Sequence, residues 1–250
     1  MKEFFALCRK ELKKLYQMTI SYPLNIIISI MSFVAISVVL LFGMSSIFND
    51  SFQFYSLLFS PVVIGCVSSM SNSYKFDTMI GAVEQIANSR FGLHKVLFAR
   101  YCIDFMVSIL PSIALMIITR FFFSFPFNLV LTLITFVVLF VECYFLGIIL
   151  LGLVLVYRKV DSIFSIVNFL LSASMLAVLL VGVNNIPLIS YFIPFSNIAV
   201  FPAIPFSQEN VSALSVVMLI LNIIASSFVA FIVYKKLYKK SLKLGTIGQY

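Results

Sequence analysis

Few residues in this chain could do chemistry, and their types narrow it quickly. The 250 residues hold one histidine, nine acids and four cysteines. Cys8, Cys66, Cys102 and Cys143 have no C-x-x-C spacing, and three of them fall in apolar runs. They read as small buried hydrophobes with reduced thiols, not as a disulfide or metal set. His94 and scattered carboxylates cannot assemble a standard zinc site. The sequence has no G-x-x-x-x-G-K-S/T loop to cradle phosphates and no G-x-S-x-G elbow to present a nucleophile. The expectation is a non-enzyme with no catalytic residue, bound metal or cofactor of its own. The sharpest single residue is Glu142, a carboxylate inside an apolar run, where ionised groups are costly. Its functional readings are a proton-linked step or contact with a cationic cargo. Its structural reading is a protonated or hydrogen-bonded acid that locks helices together. Asp104 lies nearer the end of its run and is expected to pair with an interfacial basic group or a tyrosine.

The elements that must position these groups are membrane helices. The chain is 62% hydrophobic and 10% charged, with mean hydropathy +1.13, whereas soluble domains carry about 25% charged residues. Uncharged runs cover Leu15 to Asn49, Ser51 to Tyr74, Phe105 to Thr119, Phe121 to Val141, Cys143 to Tyr157, Ser162 to Gln208 and Asn210 to Tyr234. At about 20 residues per crossing, they predict six transmembrane helices at 22–46, 52–73, 97–122, 127–156, 162–182 and 212–234. The Ser162 to Gln208 run is too long for one crossing, and Pro187, Pro194, Pro202 and Pro205 interrupt its second half. A proline-rich outer re-entrant segment is therefore expected at 183–211, before the last helix.

Charge sets orientation. Sixteen of the seventeen basic residues lie at the N-terminus, in the second and fourth loops and in the tail; Arg120 is the exception. The positive-inside rule puts that side, and both termini, in the cytoplasm. The net charge of +8 sits in short patches beside apolar runs, which suits anionic headgroups better than nucleic acid. Residues 1–20 are not a signal peptide, because charges run throughout. With Phe4, Phe5, Cys8, Leu12 and Leu15 at helical spacing, they predict an amphipathic interfacial helix. The fold class is thus an all-α integral membrane protein with a single transmembrane domain over 1–250.

One polar stretch, YKFDTMIGAVEQIANSRFGLHKVLFAR from Tyr74 to Arg100, breaks the apolar pattern. It predicts a cytoplasmic helix with Asp77 and Glu84 toward its start and Arg90, Lys95 and Arg100 toward its end, an order that suits a helix dipole. Met79, Ile80, Ile86, Phe91 and Leu93 supply apolar faces that could fill a cleft on a partner. Two serine series suggest either close helix packing or a weakly polar route. Ser56, Ser60 and Ser68 fall in the second span; Ser162, Ser165, Asn168 and Ser172 fall in the fifth. The 28 phenylalanines, with methionine, suggest adaptable apolar surfaces suited to lipids, hydrophobic drugs or amphipathic peptides.

This layout resembles the ABC-2 type permeases, the membrane subunits of one class of ABC exporters. Asp77, Gly81, Glu84 and Gln85 sit where that family tends to have an acid followed by a G-T-x-E-x-L-like run. Leu97 to Arg100 is similar to its lead-in to the third span, Ile186 to Pro205 to its proline-rich outer segment, and Leu244 to Tyr250 to its usual ending. The chain departs in having Ala82 after the glycine and Arg90 where a proline often follows Ser89. The resemblance implies a complex of two permeases, as homodimer or heterodimer, with two copies of a separate ATPase that binds ATP and Mg. It implies a bacterial plasma-membrane location and a cytoplasmic coupling region at 74–96. Within that region the coupling contact falls on Asp77, Gly81, Glu84, Gln85, Ser89 and Arg90, with a second contact at Arg158 and Asp161. Cargoes in the family include drugs, polysaccharides, lipids and peptides. The small size and short outer loops look like the compact peptide exporters, such as those of phenol-soluble modulins. Ser56, Ser60, Ser68, Ser165, Asn168, Ser172 and Glu142 are the candidate path residues. The alternative is an ATP-independent secondary transporter that uses Glu142 and Asp104 for proton coupling; it should show inverted repeats, which the sequence does not display.

Overall fold

The structure, a computed structural model, describes residues 2–21, 24, 31, 59–89, 91–122, 129–157, 161–181, 193–200 and 213–244. All regular structure among these residues is helical. The elements are α1 (Lys2–Ser21), α2 (Ser60–Met79), α3 (Val83–Ala87), α4 (Gly92–Phe122), α5 (Leu129–Val156), α6 (Asp161–Val181), α7 (Asn197–Val200) and α8 (Ala213–Leu244). Three helices hold stretches long and apolar enough to cross a membrane: Gly92–Ala114, Thr132–Val156 and Val217–Leu244. The first expected span, 22–46, falls outside the described residues apart from Leu24 and Met31.

Several boundaries differ from expectation for physical reasons. The polar stretch is not one helix. Its first residues continue α2 to Met79, its middle is the five-residue α3, and its end opens α4 at Gly92. Gly81 (φ 68°) and Gly92 (φ 70°) bracket α3, and each takes a left-handed step that an L side chain resists. The dipole argument for a continuous helix therefore does not apply. At the other end of the chain, α8 runs ten residues past the expected end at 234, through KKLYKKSLKL. Lysine, leucine and tyrosine support helix there as well as they support an anchor.

The core forms where α5 packs between α2 and α8, while α2 also packs on α4. It gathers Val63, Cys66 and Val67 of α2, Tyr101 and Phe105 of α4, and Leu139, Cys143 and Leu151 of α5. Aromatic rings fill the α4–α5 contact: Phe105 and Phe140 have centroids 4.9 Å apart, and the Tyr101 hydroxyl donates to the Phe140 carbonyl at 2.5 Å. Among apolar helices association depends on close packing more than on water exclusion, and glycines permit it here. A Cβ on Gly147 would meet the Val67 carbonyl oxygen at 3.2 Å, and one on Gly152 would meet Leu237 Cδ1 at 3.0 Å. Gly147→Val should push α5 off α2 and destabilise the fold by about 1–3 kcal/mol. Thermal unfolding in detergent measures it. The outward faces stay greasy, with Met106, Leu110, Leu133, Val137, Phe169, Phe228 and Phe231 exposed, as contact with lipid requires.

Candidate functional site

Two polar assemblies stand out against the apolar bundle. The first sits at its polar end, where α1, α2 and α4 meet. Arg100, on the fourth helix, donates from Nε to Glu11 Oε2 at 2.9 Å and from Nη1 to Asp77 Oδ2 at 2.5 Å. Asp77 is 1% exposed, and Arg100 is its ion-pair partner. The guanidinium fork is what allows one side chain to hold two carboxylates from two helices. Apolar contacts extend the clamp: Leu7 of α1 packs with Val96 and Ala99 of α4, joined by Phe4, Cys8, Ile86 and Phe91. Burial pushes the Cys8 thiol pKa up, away from thiolate reactivity. The N-terminal helix therefore uses Phe4, Leu7 and Cys8 for packing, while Phe5, Leu12, Tyr16 and Ile20 remain an exposed apolar face.

This clamp redistributes the coupling residues expected from sequence. Asp77 is turned inward to Arg100 and is not displayed. Ile86 and Phe91 pack toward α1 and α4, and Leu93 packs against the main core, so none of the three is offered outward as an apolar tooth. Met79 and Ile80 are offered: they are 85% and 58% exposed, at the turn formed by Gly81. Gln85 is also exposed, on α3, while Ser89 is half-buried and its hydroxyl donates to the Ile86 carbonyl at 2.7 Å. Glu84 lies within α3, and α6 begins at Asp161. Arg90 and Arg158 lie outside the described residues. The neighbouring face is tied down by His94, whose ring lies 3.3 Å from the Tyr234 hydroxyl of α8 and edge-on to the Tyr234 ring.

The second assembly is buried between α5, α7 and α8. Glu142 and Asn197 are both 0% exposed. Asn197 Nδ2 donates to Glu142 Oε1 at 3.2 Å and to the Leu219 carbonyl at 3.0 Å. The turn before α7 is held in the same way. Asn222 Nδ2 donates to the Ile193 carbonyl at 2.6 Å and to Ser196 Oγ at 3.1 Å, and the Phe195 N–H donates to Ser226 Oγ at 2.9 Å. Phe195 adopts φ 69°, a left-handed conformation that a bulky side chain keeps only when its surroundings impose it. Two buried acceptors, Glu142 Oε2 and Asn197 Oδ1, have no hydrogen-bond donor among the described residues.

The structure thus separates the expected path residues. Glu142 is buried in this network. Ser68 donates to the Ile64 carbonyl of its own helix at 3.0 Å. Ser165 is exposed and Ser172 half-buried, both on α6, while Asn168 has a buried Oδ1 with no donor among the described residues. Ser60 opens α2, and Ser56 lies outside the described residues. Sequence reasoning missed Asn197, Asn222 and Ser226. The available signal was an amide and a hydroxyl four residues apart in an apolar helix, which share one face and need partners there.

No protein-family model, curated protein or solved structure matches the chain.

Proposed function

We propose that the chain is the six-span permease subunit of an ATP-driven exporter of the ABC-2 type. It sits in a bacterial plasma membrane with both termini cytoplasmic, working as a pair with two copies of a separate ATPase that supplies ATP and Mg. One observation carries this reading: the Met79, Ile80 and Gln85 protrusion, raised on a glycine turn and backed by the Arg100 clamp. A loop between apolar helices has little reason to expose a methionine and an isoleucine to water unless something covers them. The clamp joins that protrusion to α4, so displacement of the protrusion by a closing ATPase reaches a membrane helix directly. Glu84 and Gln85 are the polar centre of the contact. The cargo is hydrophobic or amphipathic, with an amphipathic peptide as the first choice, because the exposed faces of the apolar helices carry phenylalanine, leucine and methionine and few charges.

Met79→Asp combined with Ile80→Asp should prevent copurification of the ATPase subunit while leaving the permease folded. Glu84→Lys should leave the complex assembled but cut cargo-stimulated ATP hydrolysis by about tenfold. ATPase stimulation that survives both changes would exclude this contact.

A second reading, proton-coupled transport without an ATPase, draws on the buried Glu142 oxygen that lacks a donor among the described residues. Copurification of an ATPase separates the two.

A further inference from the structure

A cavity of about 340 Å³ opens between α1, α2 and α4, next to the Arg100 clamp. That volume is at the small end of the range for ligand pockets. Two of its charged groups have no ion-pair partner among the described residues. Arg100 is committed to Glu11 and Asp77. Lys14 reaches in from α1 with its ammonium 5.4 Å from the centre of the Phe76 ring, and it has no carboxylate partner among the described residues. Asp104, on the α4 wall, makes no hydrogen bond or ion pair among the described residues. Among the described residues the cavity therefore presents, on one helix, a cation with no carboxylate partner and, on another, a carboxylate that Arg100 attracts but does not bond. Asn72 and Ser73 of α2 add neutral donors to the lining.

The surroundings select the ligand. Ile103 lines the cavity, and Met106, Leu110 and Ile117 continue its face of α4 at helical spacing, 68%, 62% and 53% exposed. A ligand whose head fills the cavity can lay an apolar tail on that strip. We propose that the cavity binds the zwitterionic headgroup of an amine-bearing phospholipid, phosphatidylethanolamine. The phosphate meets Lys14, Asn72 and Ser73, and the primary ammonium donates to Asp104. A quaternary choline head has no N–H to give Asp104, and a glycerol head has no cation. The proposal rests on membrane placement alone and stands or falls separately from the export reading.

The test is native mass spectrometry of the full-length protein in detergent, offered phosphatidylethanolamine, phosphatidylcholine or phosphatidylglycerol with matched acyl chains. Wild type should retain phosphatidylethanolamine about tenfold better than phosphatidylcholine, the size of one charge-assisted hydrogen bond. Asp104→Asn should bring the two to parity, and Lys14→Gln should weaken both by a similar factor. Mono- and dimethylated phosphatidylethanolamine, offered to wild type, should give graded retention. This arm needs no variant to fold. Equal retention of the amine and choline lipids by wild type would overturn the proposal, as would preference for the glycerol lipid or a preference intact in Asp104→Asn. Excess soluble phosphoethanolamine should not displace the lipid; displacement would reassign the cavity to a free phosphate ester.

Discussion

Arg100→Ala is expected to lower stability by about 3–5 kcal/mol, the range for stripping the partner from a buried charge. Asp77 is 1% exposed and would be left with no counter-charge among the described groups, while Glu11 would lose its hold on α4. Arg100→Lys should lose roughly half as much, because a single ammonium cannot grip two carboxylates from two helices in the way the guanidinium fork does. Asp77→Asn should cost less than Arg100→Ala, since Arg100 keeps Glu11. Thermal unfolding in detergent gives this order. Equal losses for all three variants would show that packing, and not the shared charge, holds the corner. Limited proteolysis supplies a second readout, because α1 should become cleavable in Arg100→Ala and stay protected in Arg100→Lys.

The second large effect is expected at Glu142, and the contrast between two variants carries the information. Glu142→Ala should destabilise by about 2–3 kcal/mol. A hydrogen bond between membrane helices averages only about 0.6 kcal/mol, so most of that loss comes from the void left by a fully buried side chain, about 2 kcal/mol. Glu142→Gln should retain full stability. Its carbonyl can accept from Asn197 Nδ2, and its amide removes the undonated Glu142 Oε2 and puts a donor into a pocket where Asn197 Oδ1 also lacks one among the described residues. Export by Glu142→Gln should also be unchanged, because the carboxyl then serves only to hold α7 to α5. Loss of transport in a stably folded Glu142→Gln would instead assign the residue to a proton step.

The helical class and the positions of the apolar helices were legible because composition and charge-free runs act over whole segments. The ends of α4, α5 and α6 fall within a few residues of the expected spans for that reason. The polar stretch from Tyr74 to Arg100 was found but misshaped. Its charge order suits one helix, and only the backbone preference of Gly81 and Gly92 hinted at two turns. Asp77 and Arg100 were each visible as charges near a membrane end. The pairing of Arg100 with Glu11 is a contact across 89 residues that no local pattern encodes. Glu142 was conspicuous because a carboxylate in an apolar helix is costly. Asn197, Asn222 and Ser226 were not, because uncharged polar groups in such helices are common and acquire meaning only once they face one another.

The two glycine steps around α3 carry a constraint of their own. A Cβ at Gly81 or Gly92 would meet nothing within 4 Å, so nothing there is short of room. What forbids an ordinary substitution is chirality: an L residue in that conformation is strained by about 1–2 kcal/mol, whereas a D-alanine would fit unstrained. The corner that presents Met79 and Ile80 is therefore specified by handedness and not by volume. Asparagine, the L residue most at ease there, is the replacement through which the corner could drift without changing its shape.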